Sequence, residues 1–553
     1  MTGPRKQYAF RPAPELDGRR GHYPVVIAGA GPIGMAAARD LALRGVRSIV
    51  LDDDDKVSVG SRAICWARRT LEIFERLGVA SRMMQKGVTW NTGRVFSGDD
   101  REPVFSFDLS PDRDQCFPAF INLQQYYVEE YLVDVLDQTP LTELRWQSKV
   151  SGVRQTGDGV EITVQTPVGS YTVTADYLLA ADGSRSTVRG LLGLEFVGEV
   201  FQDHFLIADV RMRAERPAER WFWFDPPFAR GQSALLHKQP DDVWRLDFQL
   251  GWNIDREAEL DPERVGARVR RMLGADVAFE LEWASIYTFQ CRRLARFVHD
   301  RVIFAGDAAH LVSPFGARGA NGGVQDVDNL CWKLALVLAG TAPSALLASY
   351  DTERGFAADE NIRHSTRSTE FITPKSTTSR AFREAVLELA RDHRFARAYV
   401  NSGRLSVPSV LRDSPLHEST ADVAALTAAS PSMPGSPAVN VPVMVSGRRD
   451  WLLRQLGGEF NLVLFEPVEN TATTRASWPV PVTTWHVVPH ASAARAEHHL
   501  VDIDGKLASA YRANPGDWLL FRPDQHLAAG GRGCDPGTIR ASIKRCLGQG
   551  VVA

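Results

Sequence analysis

The chain has 553 residues, which is too long for a single domain. At ~150 residues per domain, this length predicts about three or four domains. Lys and Arg number 64 against 67 Asp and Glu, for a formal net charge of −3, and this balance excludes a nucleic-acid binder that relies on bulk positive charge. The hydrophobic fraction of 44% is ordinary for a soluble globular protein and excludes wholesale disorder.

Other features of the sequence bear on location and redox state. No apolar stretch comes near the ~18 residues of a membrane-spanning helix, and the polar start from Met1 to Pro24 lacks the apolar core of a secretory signal. The six cysteines form no CxxC pair and no spacing typical of zinc, so the sequence predicts reduced thiols and no metal site. We therefore expect a cytoplasmic protein.

The first chemical motif is a glycine-rich loop between a strand and a helix. Residues 24–28 form a short apolar run, typical of a buried strand, and residues 35–45 have a strong helix pattern that stops at Gly45. A second strand is predicted over residues 46–51. In this context a GxGxxG pattern indicates dinucleotide binding, because the loop and the helix N-terminus offer backbone N–H groups to a diphosphate.

The glycines and the acid of this unit have separate predicted roles. Gly29 permits the tight turn, Gly31 lets the backbone approach the diphosphate, and Gly34 lets the helix pack on the strand. Asp52 closes the second strand and is placed to accept hydrogen bonds from a ribose diol, which suits FAD or NAD. The run from Asp53 to Asp55 is typical of a solvated turn, although Asp53 is kept as a candidate. The candidate cofactor-binding residues of this unit are Gly29, Gly31, Pro32, Ile33, Gly34, Asp52 and Asp53.

Two later segments each place a Gly/Asp pair after a predicted strand. Asp182 and Gly183 follow a short apolar strand and precede a helix that starts over residues 184–189. Gly306 and Asp307 follow another strand, and a glycine-rich loop then leads to a long helix predicted from Val324. Such a loop and helix N-terminus hold a developing anion with backbone donors alone, which suits the N1–C2=O edge of a reduced flavin. Asp307, at a strand end, is placed for the ribityl hydroxyls.

The three motifs together resemble the class A flavoprotein monooxygenases, the family typified by p-hydroxybenzoate hydroxylase and phenol hydroxylase. The family carries GxGxxG, then Asp-Gly, then Gly-Asp, and all three stand here in that order. The resemblance also includes Arg62 and Gln125 and extends over roughly residues 22–370. The branch it resembles most contains 3-(3-hydroxyphenyl)propionate hydroxylase and phenol hydroxylase.

The resemblance implies an FAD-dependent monooxygenase. FAD would be reduced by NADPH or NADH as co-substrate, and O2 would then form a C4a-hydroperoxyflavin that transfers OH to an electron-rich ring. Asp52 would bind the adenosine ribose, and Arg62 and Gln125 the pyrophosphate or ribityl region. His310 would orient Asp307 or contact substrate. The further cofactor-binding residues that it implies are Arg62, Gln125, Asp182, Gly183, Gly306, Asp307, Gly319, Ala320 and Asn321.

The middle of the chain reads as a sheet able to cover a flavin. Strands are predicted over residues 205–211, 221–224, 233–238 and 244–250. The aromatic run from Trp221 to Phe224 is either ordinary sheet core or the wall of a substrate pocket. Arg245 is interpreted as a structural ion-pair partner. The candidate catalytic residues are His237, Pro314 and Arg318, and for His237 a buried or surface histidine without a catalytic role stays open.

The last third of the chain predicts a separate α/β unit. Residues 380–399 form an amphipathic helix pattern, and residues 430–437 are a Pro/Gly/Ser linker. Helices at 451–456 and 536–546 flank strands at 461–464, 485–488, 500–502 and 518–521. The segment from Phe521 to Asp524 resembles the end of the thioredoxin-like domain of phenol hydroxylase. Since the redox CxxC is missing, we expect packing or dimerisation rather than disulfide chemistry.

The sequence therefore predicts an α/β enzyme with an interleaved body and a C-terminal domain. The predicted parts are an N-terminal tail (1–22), a Rossmann-like FAD-binding body (23–370) with an interleaved mixed β-sheet substrate domain (about 90–120 and 190–290), a helical linker region (371–436) and a thioredoxin-like domain (437–553). The expected function is hydroxylation of a phenolic or related small aromatic substrate by a homodimer, without nucleic acid or a membrane span. The alternatives are a polyketide, heterocycle or alkene substrate, or a non-catalytic FAD-binding redox sensor.

Overall fold

The computed structural model describes residues 6–60, 62–109, 114–400, 405–417, 433–466, 477–490 and 498–549. The α-helices of these residues are α1 (Pro32–Leu43), α2 (Arg68–Leu77), α3 (Ala80–Lys86), α4 (Gln125–Leu136), α5 (Thr187–Leu191), α6 (Arg256–Glu259), α7 (Pro262–Leu273), α8 (Gly319–Leu338), α9 (Ala348–Ile372), α10 (Thr377–Asp392), α11 (Arg394–Val400), α12 (Leu452–Gln455), α13 (Lys506–Tyr511) and α14 (Pro536–Cys546). In the part of the chain that is described, we find no helix with the length and apolar character needed to cross a membrane.

The β-strands fall into three large sheets and one small one. They are β1 (Gly21–Ala28), β2 (Ser48–Leu51), β3 (Cys65–Ala67), β4 (Val88–Trp90), β5 (Thr92–Ser97), β6 (Phe105–Asp108), β7 (Phe120–Asn122), β8 (Thr142–Arg145), β9 (Lys149–Gln155), β10 (Val160–Thr166), β11 (Gly169–Ala180), β12 (Phe196–Arg211), β13 (Arg220–Phe224), β14 (Ser233–Lys238), β15 (Val243–Gln249), β16 (Glu280–Leu294), β17 (Val298–His299), β18 (Val302–Phe304), β19 (His310–Leu311), β20 (Pro442–Val445), β21 (Arg448–Trp451), β22 (Phe460–Phe465), β23 (Val482–Val488), β24 (His499–Asp502), β25 (Asp517–Phe521) and β26 (Leu527–Arg532).

The first sheet has the parallel core expected of a Rossmann-like domain. Its order is β17-β18-β11-β1-β2-β8, with β10 and β9 added as an antiparallel extension of β11. The strands β18, β11, β1, β2 and β8 all pair in parallel. Helix α1 packs on this sheet through its small residues, with Ala36, Ala37 and Ala38 fully buried. This confirms the predicted strand–helix–strand unit, in which the helix begins at Pro32, a favoured first helical residue.

The second sheet, which we call the roof sheet, is built from two separate parts of the chain. Its order is β19-β16-β12-β15-β14-β13-β5-β6, and β5 pairs with β13 in parallel. One face packs against α7, and the other packs against Phe315 and the helices α9 and α10. The four middle strands predicted from the sequence are all present, within a residue at most ends, except that β12 starts earlier, at Phe196.

The third sheet lies in the C-terminal part of the chain, in the order β21-β20-β24-β23-β22-β25-β26. Strands β22, β23 and β24 pair in parallel, while β25 and β26 form an antiparallel hairpin. Its core packs on α8, where the rings of Trp332 and Phe460 are 5.8 Å apart. The C-terminal part is an α/β unit, as predicted, and its sheet contains both parallel and antiparallel strand pairs. Its thioredoxin-like character stays a prediction.

Three helix boundaries differ from the sequence prediction. The helix predicted over 380–399 is two helices, α10 and α11, because His393 between them has extended backbone angles (φ −116°, ψ 117°). Helix α8 begins at Gly319 rather than Val324, so residues expected in a loop form its first turn. The helix expected at 451–456 is only α12, because Trp451 ends β21. Of the predicted linker 430–437, the first three residues lie outside the described residues.

Candidate active site

The parallel sheet brings the three sequence motifs together at one edge. Ala28 of β1 lies beside Leu51 of β2 and Ala180 of β11, and Ala180 lies beside Phe304 of β18. Because these strands run in the same direction, their carboxyl ends meet at one edge of the sheet. The glycine loop, Asp52, the Asp182-Gly183 pair and the Gly306-Asp307 pair each follow one of these strands by one or two residues. The motifs are thus neighbours although they are far apart along the chain.

In the glycine loop, Gly31 faces open space that a ligand can fill, whereas Gly29 and Gly34 are in close contact with protein. Gly29 has φ +102°, and a Cβ there would lie 2.5 Å from the Ala181 carbonyl oxygen. A Cβ on Gly34 would overlap the Gly29 carbonyl oxygen, so the helix lies directly on the loop. A Cβ on Gly31 would meet no protein atom within 4 Å. Gly31 is also the N-cap of α1 and makes no side-chain cap, so the helix N-terminus faces open space.

Asp52 is fixed by the loop that it faces. Its Oδ2 atom accepts a hydrogen bond from the backbone N–H of Ala30 (2.5 Å), and its Oδ1 atom accepts one from Asp54 (2.9 Å). Burial raises the pKa of the Asp52 carboxyl to about 6, in spite of these two donors. Asp53, by contrast, is exposed in the turn that follows. The two neighbours therefore have different environments, and Asp52 is the one that faces the loop.

A second loop, the segment between β2 and β3 that contains Arg62 and Ala63, contacts both α4 and the roof sheet. Gln125, the first residue of α4, accepts from the backbone N–H of Ala63 (3.1 Å) and donates to Glu129 (2.8 Å). Arg245 of the roof sheet donates to the carbonyl oxygen of Arg62 (3.3 Å), while the Arg62 side chain is exposed. The side chain of Gln125 therefore serves to hold this loop, and the Arg62 guanidinium projects from it.

Asp182 holds a helix N-terminus with one oxygen and leaves the other unpaired. Its Oδ2 atom accepts from the backbone N–H of Val188 (3.0 Å) in α5. Its Oδ1 atom is buried and has no hydrogen-bond partner among the described residues. Burial raises the pKa of this carboxyl, against the hydrogen bond from Ser186. Gly183 has φ +77°, which turns the chain away from the sheet edge.

Asp307 is exposed and makes no hydrogen bond to any residue in the described ranges. Its side chain is accessible to solvent, yet it is surrounded by enough protein that desolvation raises the pKa of its carboxyl, opposed by the charges of His310 and Arg62. A Cβ on Gly319 would lie 3.8 Å from the Asp307 Oδ1 atom, so the carboxylate lies beside the N-terminus of α8. The neighbouring Gly306 has φ +60° and packs on Ile33 of α1.

A buried ionic group behind Asp307 fixes the loop to α8 and α9. The Asp326 carboxylate accepts hydrogen bonds from the Gly306 backbone (3.0 Å), from His310 Nε2 (2.7 Å) and from Arg354 Nε (2.7 Å). Burial alone would raise the pKa of Asp326, but the cationic partners outweigh it and hold the pKa well below the usual range. His310 is buried and directed at Asp326, so it supports the backbone beside Asp307 rather than pairing with Asp307 directly.

The first turn of α8 presents backbone donors to the cleft. Gly319 and Ala320 are half-buried, and the first backbone N–H to bond back within the helix region is that of Gly322, to the Arg318 carbonyl (2.7 Å). The Asn321 side chain is fully engaged with protein. It accepts from the Ala67 N–H (2.9 Å) and from Thr70 Oγ1 (2.6 Å) and donates to the carbonyls of Cys65 (2.9 Å) and Ala317 (2.6 Å). Asn321 therefore offers a ligand only its backbone.

The candidate catalytic residues of the preceding loop have different exposures. Pro314 is exposed, and its carbonyl accepts from the Ala317 N–H (3.1 Å) in a turn. Arg318 is buried, and its guanidinium donates to the Phe315 carbonyl (3.4 Å). The Phe315 ring packs on the roof sheet, 5.1 Å from the rings of both Phe205 and Phe289. The loop thus joins the edge of the first sheet to the roof sheet.

His237 lies on the face of the roof sheet that looks toward this loop. It is 3% exposed, its Nδ1 atom has no hydrogen-bond partner in the described part of the chain, and its ring lies 6.2 Å from that of Trp90. Burial, with the nearby Arg220 and Arg245, lowers the pKa of His237 well below its usual value. Arg245 forms the buried ion pair expected for it, with Asp209 at 2.9 Å.

The aromatic run from Trp221 to Phe224 is divided between the two faces. Trp221 and Trp223 pack with the cluster that faces α7, whereas Phe222 and Phe224 pack with the cluster on the loop side. Successive residues of a strand point to opposite faces, so only the two phenylalanines border the cleft. The interpretation as sheet core therefore holds for Trp221 and Trp223, and the interpretation as a pocket wall stays a prediction for Phe222 and Phe224.

The residues present fit FAD. Open space at Gly31, an uncapped helix N-terminus, an unpaired buried oxygen on Asp182 and an unpartnered carboxylate on Asp307 are the features that a diphosphate and polyol chain require. The N-terminus of α8 adds backbone donors for the anionic edge of a flavin ring. FAD would be held by these groups along the carboxyl edge of the first sheet.

Sequence reasoning missed three polar residues on this face of the roof sheet, Arg220, Asp247 and Tyr287. They lie on β13, β15 and β16, on the same face as His237. A signal was present in principle, since strand alternation fixes which residues share a face once the pairing is known. The pairing register itself is a tertiary property.

Comparison with known proteins agrees with this geometry. A family model for an FAD binding domain matches residues 22–365. A flavin-dependent monooxygenase of Mycobacteroides abscessus is 33% identical over 350 residues, covering 60% of this chain and 70% of the relative. A 6-methylpretetramide 4-monooxygenase of Streptomyces rimosus is 29% identical over 561 residues, covering 96% of this chain and 94% of the relative.

Two further comparisons cover the phenolic acid branch and the fold. A 3-(3-hydroxy-phenyl)propionate/3-hydroxycinnamic acid hydroxylase of Mycolicibacterium gilvum is 31% identical over 370 residues, covering 66% of this chain and 63% of the relative. The crystal structure of aklavinone-11 hydroxylase with FAD and aklavinone has the same fold, with a TM-score of 0.79 at 23% identity over 96% of this chain and 100% of that one. This chain thus belongs to the family defined by the FAD binding domain, and it is a flavoprotein monooxygenase that uses FAD, O2 and a reduced nicotinamide co-substrate.

Proposed function

We propose that the enzyme hydroxylates a phenolic or related aromatic substrate that lies between the roof sheet and the N-terminus of α8. The observation that carries this proposal is the composition of the roof-sheet face toward Phe315. It presents the aromatic side chains of Phe222, Tyr287 and Phe289 beside a few polar groups. Such a surface suits a flat ring with one or two polar substituents.

In the proposed reaction the protein binds, orients and excludes water. When bound, FAD supplies the redox chemistry, since it takes electrons from NADPH or NADH and activates O2. The N-terminus of α8 is proposed to hold the flavin ring, and Asp307 the ribityl chain. The Phe315 loop, packed on the roof sheet, would keep water out of one side of the proposed substrate site, which oxygen transfer by a bound flavin requires.

The proposed division of the cofactor site follows the sheet edge. Gly29, Gly31, Gly34 and the N-terminus of α1 would take the diphosphate, with Asp182 alongside, and Asp52 the adenosine ribose. Gln125 and Asn321 would act through the backbone segments that their side chains hold. Arg318 would fix the turn that positions Pro314. This assignment is supported by the hydrogen bonds and open spaces at each residue.

A polyketide substrate is the second candidate. Its support is the relative from Streptomyces rimosus, which is named for a pretetramide substrate and matches 96% of this chain, including the C-terminal part. The phenolic acid hydroxylase matches 66% of the chain. A polycyclic phenol and a monocyclic phenolic acid share the electron-rich ring that the reaction needs.

A substrate screen tests the proposed function. NADPH or NADH oxidation by the FAD-loaded enzyme is measured with 3-(3-hydroxyphenyl)propionate, simple phenols and anhydrotetracycline, and products are analysed by mass after reaction in ¹⁸O2. We expect at least one of these compounds to accelerate oxidation and to gain one labelled oxygen atom. Failure of every phenol to stimulate oxidation, in an enzyme that holds FAD, would overturn the hydroxylase proposal.

The proposed role of Asp307 has its own test with a matched control. Asp307→Ala removes a carboxylate that has no hydrogen bond to described protein, so we expect normal folding and a Kd for FAD raised about 10–100-fold, as for a lost charge-assisted hydrogen bond. Asp53→Ala, at an exposed position in the turn after β2, should leave the Kd unchanged. Equal FAD affinity in both variants would remove Asp307 from the site.

The predicted domain bounds, the homodimer and the cytoplasmic location are proposed on narrower grounds. All six cysteines are free thiols, which suits a reducing compartment. The three large sheets support the predicted division into an FAD body, a substrate domain and a C-terminal domain, although the roof sheet also includes β19 at His310–Leu311. Light scattering after size exclusion tests the homodimer, which a monomer mass at micromolar concentration would exclude.

A further inference from the structure

The face of the roof sheet that bears His237 also carries an arginine without a partner among the described residues. Arg220 makes no ion pair and no hydrogen bond with any residue of the described ranges, and its side chain is half-buried. Two arginines of the same sheet, by contrast, are paired. Arg245 binds Asp209 (2.9 Å) and Arg94 binds Glu219 (2.5 Å). Arg220 therefore forms no ion pair with a described residue of the sheet around it, although the Asp247 carboxylate acts on its charge through space.

Two neighbours of Arg220 are also incompletely satisfied. The strand register places Arg220 of β13 directly beside His237 of β14. Asp247 lies on the same face of the next strand, β15, two residues beyond the residue that pairs with His237. His237 is 3% exposed with an unpartnered Nδ1 atom, and the Oδ1 atom of Asp247 is buried without a hydrogen bond to described residues. Buried polar groups in proteins are normally paired, so a cluster of such atoms at one place indicates a missing polar ligand or water.

At neutral pH the cluster carries the positive charge of Arg220 and the negative charge of Asp247, because a pKa of about 6 leaves that carboxyl largely ionised. Burial, together with the neighbouring arginines, lowers the pKa of His237 well below its usual value, so the imidazole is neutral. Asp247 interacts with Arg220 through space but forms no ion pair with it, and burial raises the pKa of its carboxyl to about 6. Since the charge of Arg245 is balanced by Asp209, an anion that enters the cluster meets the guanidinium of Arg220.

The cluster lies close to the N-terminus of α8. Arg220 acts electrostatically on Cys65, and the carbonyl of Cys65 accepts a hydrogen bond from Asn321 in the first turn of α8 (2.9 Å). On the same sheet face, burial raises the pKa of Tyr287, and the charge of Asp307, beside that helix N-terminus, adds to the rise against Arg62 and Arg245. The aromatic side chains of Phe222 and Tyr287 lie on this face and pack against the cluster that includes Phe315. A ring that lies on these aromatics would direct a substituent toward Arg220.

We propose that Arg220 is a specificity-determining residue that binds an anionic oxygen of the substrate, either a carboxylate or an ionised phenol or enol. This inference rests on the proposed hydroxylase function and deepens it by naming the charge of the substrate. A guanidinium is the cation best suited to this task, because its planar N–H donors match a carboxylate or a chelating pair of oxygens. The neutral His237 beside it leaves that charge undiminished.

Ligand binding to the FAD-loaded enzyme tests the proposal without turnover. The flavin absorbance is titrated with 3-(3-hydroxyphenyl)propionate, with its methyl ester and with anhydrotetracycline, for the wild type, Arg220→Gln, Arg220→Lys and the control Arg213→Gln. Arg213 is exposed and lies on the segment between β12 and β13. The flavin spectrum and FAD content of each variant show that it is folded before binding is compared.

The expected result is a charge-specific loss of affinity. Arg220→Gln should raise the Kd of the bound anion at least ~10-fold, Arg220→Lys should restore part of the loss, and Arg213→Gln should bind as the wild type does. The anion is a carboxylate if the wild type binds the acid but binds the ester only weakly. In that case, the Kd of the wild type for the ester should match the Kd of Arg220→Gln for the acid. If anhydrotetracycline alone binds and shows the Arg220 dependence, the anion is an ionised phenol or enol.

Two outcomes would overturn the proposal. One is equal affinity of the wild type and Arg220→Gln for the probe that binds, and the other is that neither anionic probe binds the wild type at millimolar concentration. Steady-state kinetics separate this failure from failure of the function. Hydroxylation by Arg220→Gln with an unchanged KM refutes the role of Arg220 alone, whereas a wild type that makes no oxygenated product refutes the hydroxylase proposal itself.

Discussion

Replacement of Arg522 by Met should destabilise the contact between the C-terminal sheet and the FAD-binding body. Arg522 follows β25 and is fully buried, with its guanidinium between two carboxylates. It donates to Glu353 of α9 at 2.5 and 3.0 Å and to Asp524 at 3.0 and 2.5 Å. Glu353 is also fully buried, so all three charges are removed from water.

The size of the effect follows from what remains after the guanidinium is lost. Burial alone would raise the pKa of Glu353, but Arg522 and Lys333 outweigh it and hold the pKa well below the usual range. Without Arg522, Glu353 keeps Lys333 (2.6 Å), while Asp524 keeps Asn329 (3.1 Å) and a backbone donor. Two buried carboxylates then face one ammonium, and removal of one partner from a buried ionic group costs ~3–5 kcal/mol.

Urea unfolding and limited proteolysis measure this loss. The control is Arg532→Met, because Arg532 pairs with Asp517 at 3.3 Å but is 67% exposed, and such a pair contributes less than ~1 kcal/mol. A protein of several domains need not unfold in one step, so the transition of the C-terminal part is followed by its proteolytic release as well. If Arg522→Met and Arg532→Met shift the midpoint equally, the buried network does not hold the C-terminal sheet in place.

Two further predictions concern the glycine loop and the acid beside it. Gly34→Ala should lower the thermal midpoint of the FAD-free protein, because its Cβ overlaps a backbone oxygen, at an overpacking cost of ~1–3 kcal/mol. Gly31→Ala should leave that midpoint unchanged and reduce FAD occupancy, because its Cβ enters open space meant for the diphosphate; equal effects of the two variants on the FAD-free protein would contradict the assignment. Because burial raises the pKa of Asp52 to about 6, a fall from pH 7 to pH 5 should protonate it, remove a hydrogen-bond acceptor and raise the Kd for FAD by up to ~10-fold. For the FAD-free protein the sign is opposite, since a pKa raised on folding adds stability that is lost as pH rises through about 6. In Asp52→Asn, the part of the pH dependence of FAD affinity and of stability that comes from Asp52 should vanish. If the pH profile of this variant equals that of the wild type, Asp52 does not have this role.

The sequence by itself determined the motifs and the elements that carry them. Gly29, Gly34 and Gly306 stand where the backbone has positive φ or where a Cβ would meet a neighbour, and only glycine suits such positions. The strand–helix–strand unit at residues 21–51 and the last helix at 536–546 follow from local apolar patterns and from turn residues. Such requirements act over a few residues, so they can be predicted from the local sequence without knowledge of the rest of the chain.

The ends of helices were harder to predict from the sequence, because contacts with other chain segments decide where a helix begins and ends. Helix α8 begins five residues earlier than predicted, where the Asn321 side chain is held by Ala67 and Thr70 from a distant part of the chain. Asn321 looked like a cofactor contact in the sequence, and its side chain is instead occupied by protein. A glycine-rich stretch does not reveal which of its residues will find such partners.

Only the tertiary structure decided which polar side chains share the cleft and which charges are paired. Arg220, His237 and Asp247 come together through strand register, and one residue of slip would send each to the other face of the sheet. Glu353 and Arg522 meet across 169 residues of sequence. These contacts depend on how separate parts of the chain pack together, and this packing is set by the burial of whole faces rather than by any local pattern.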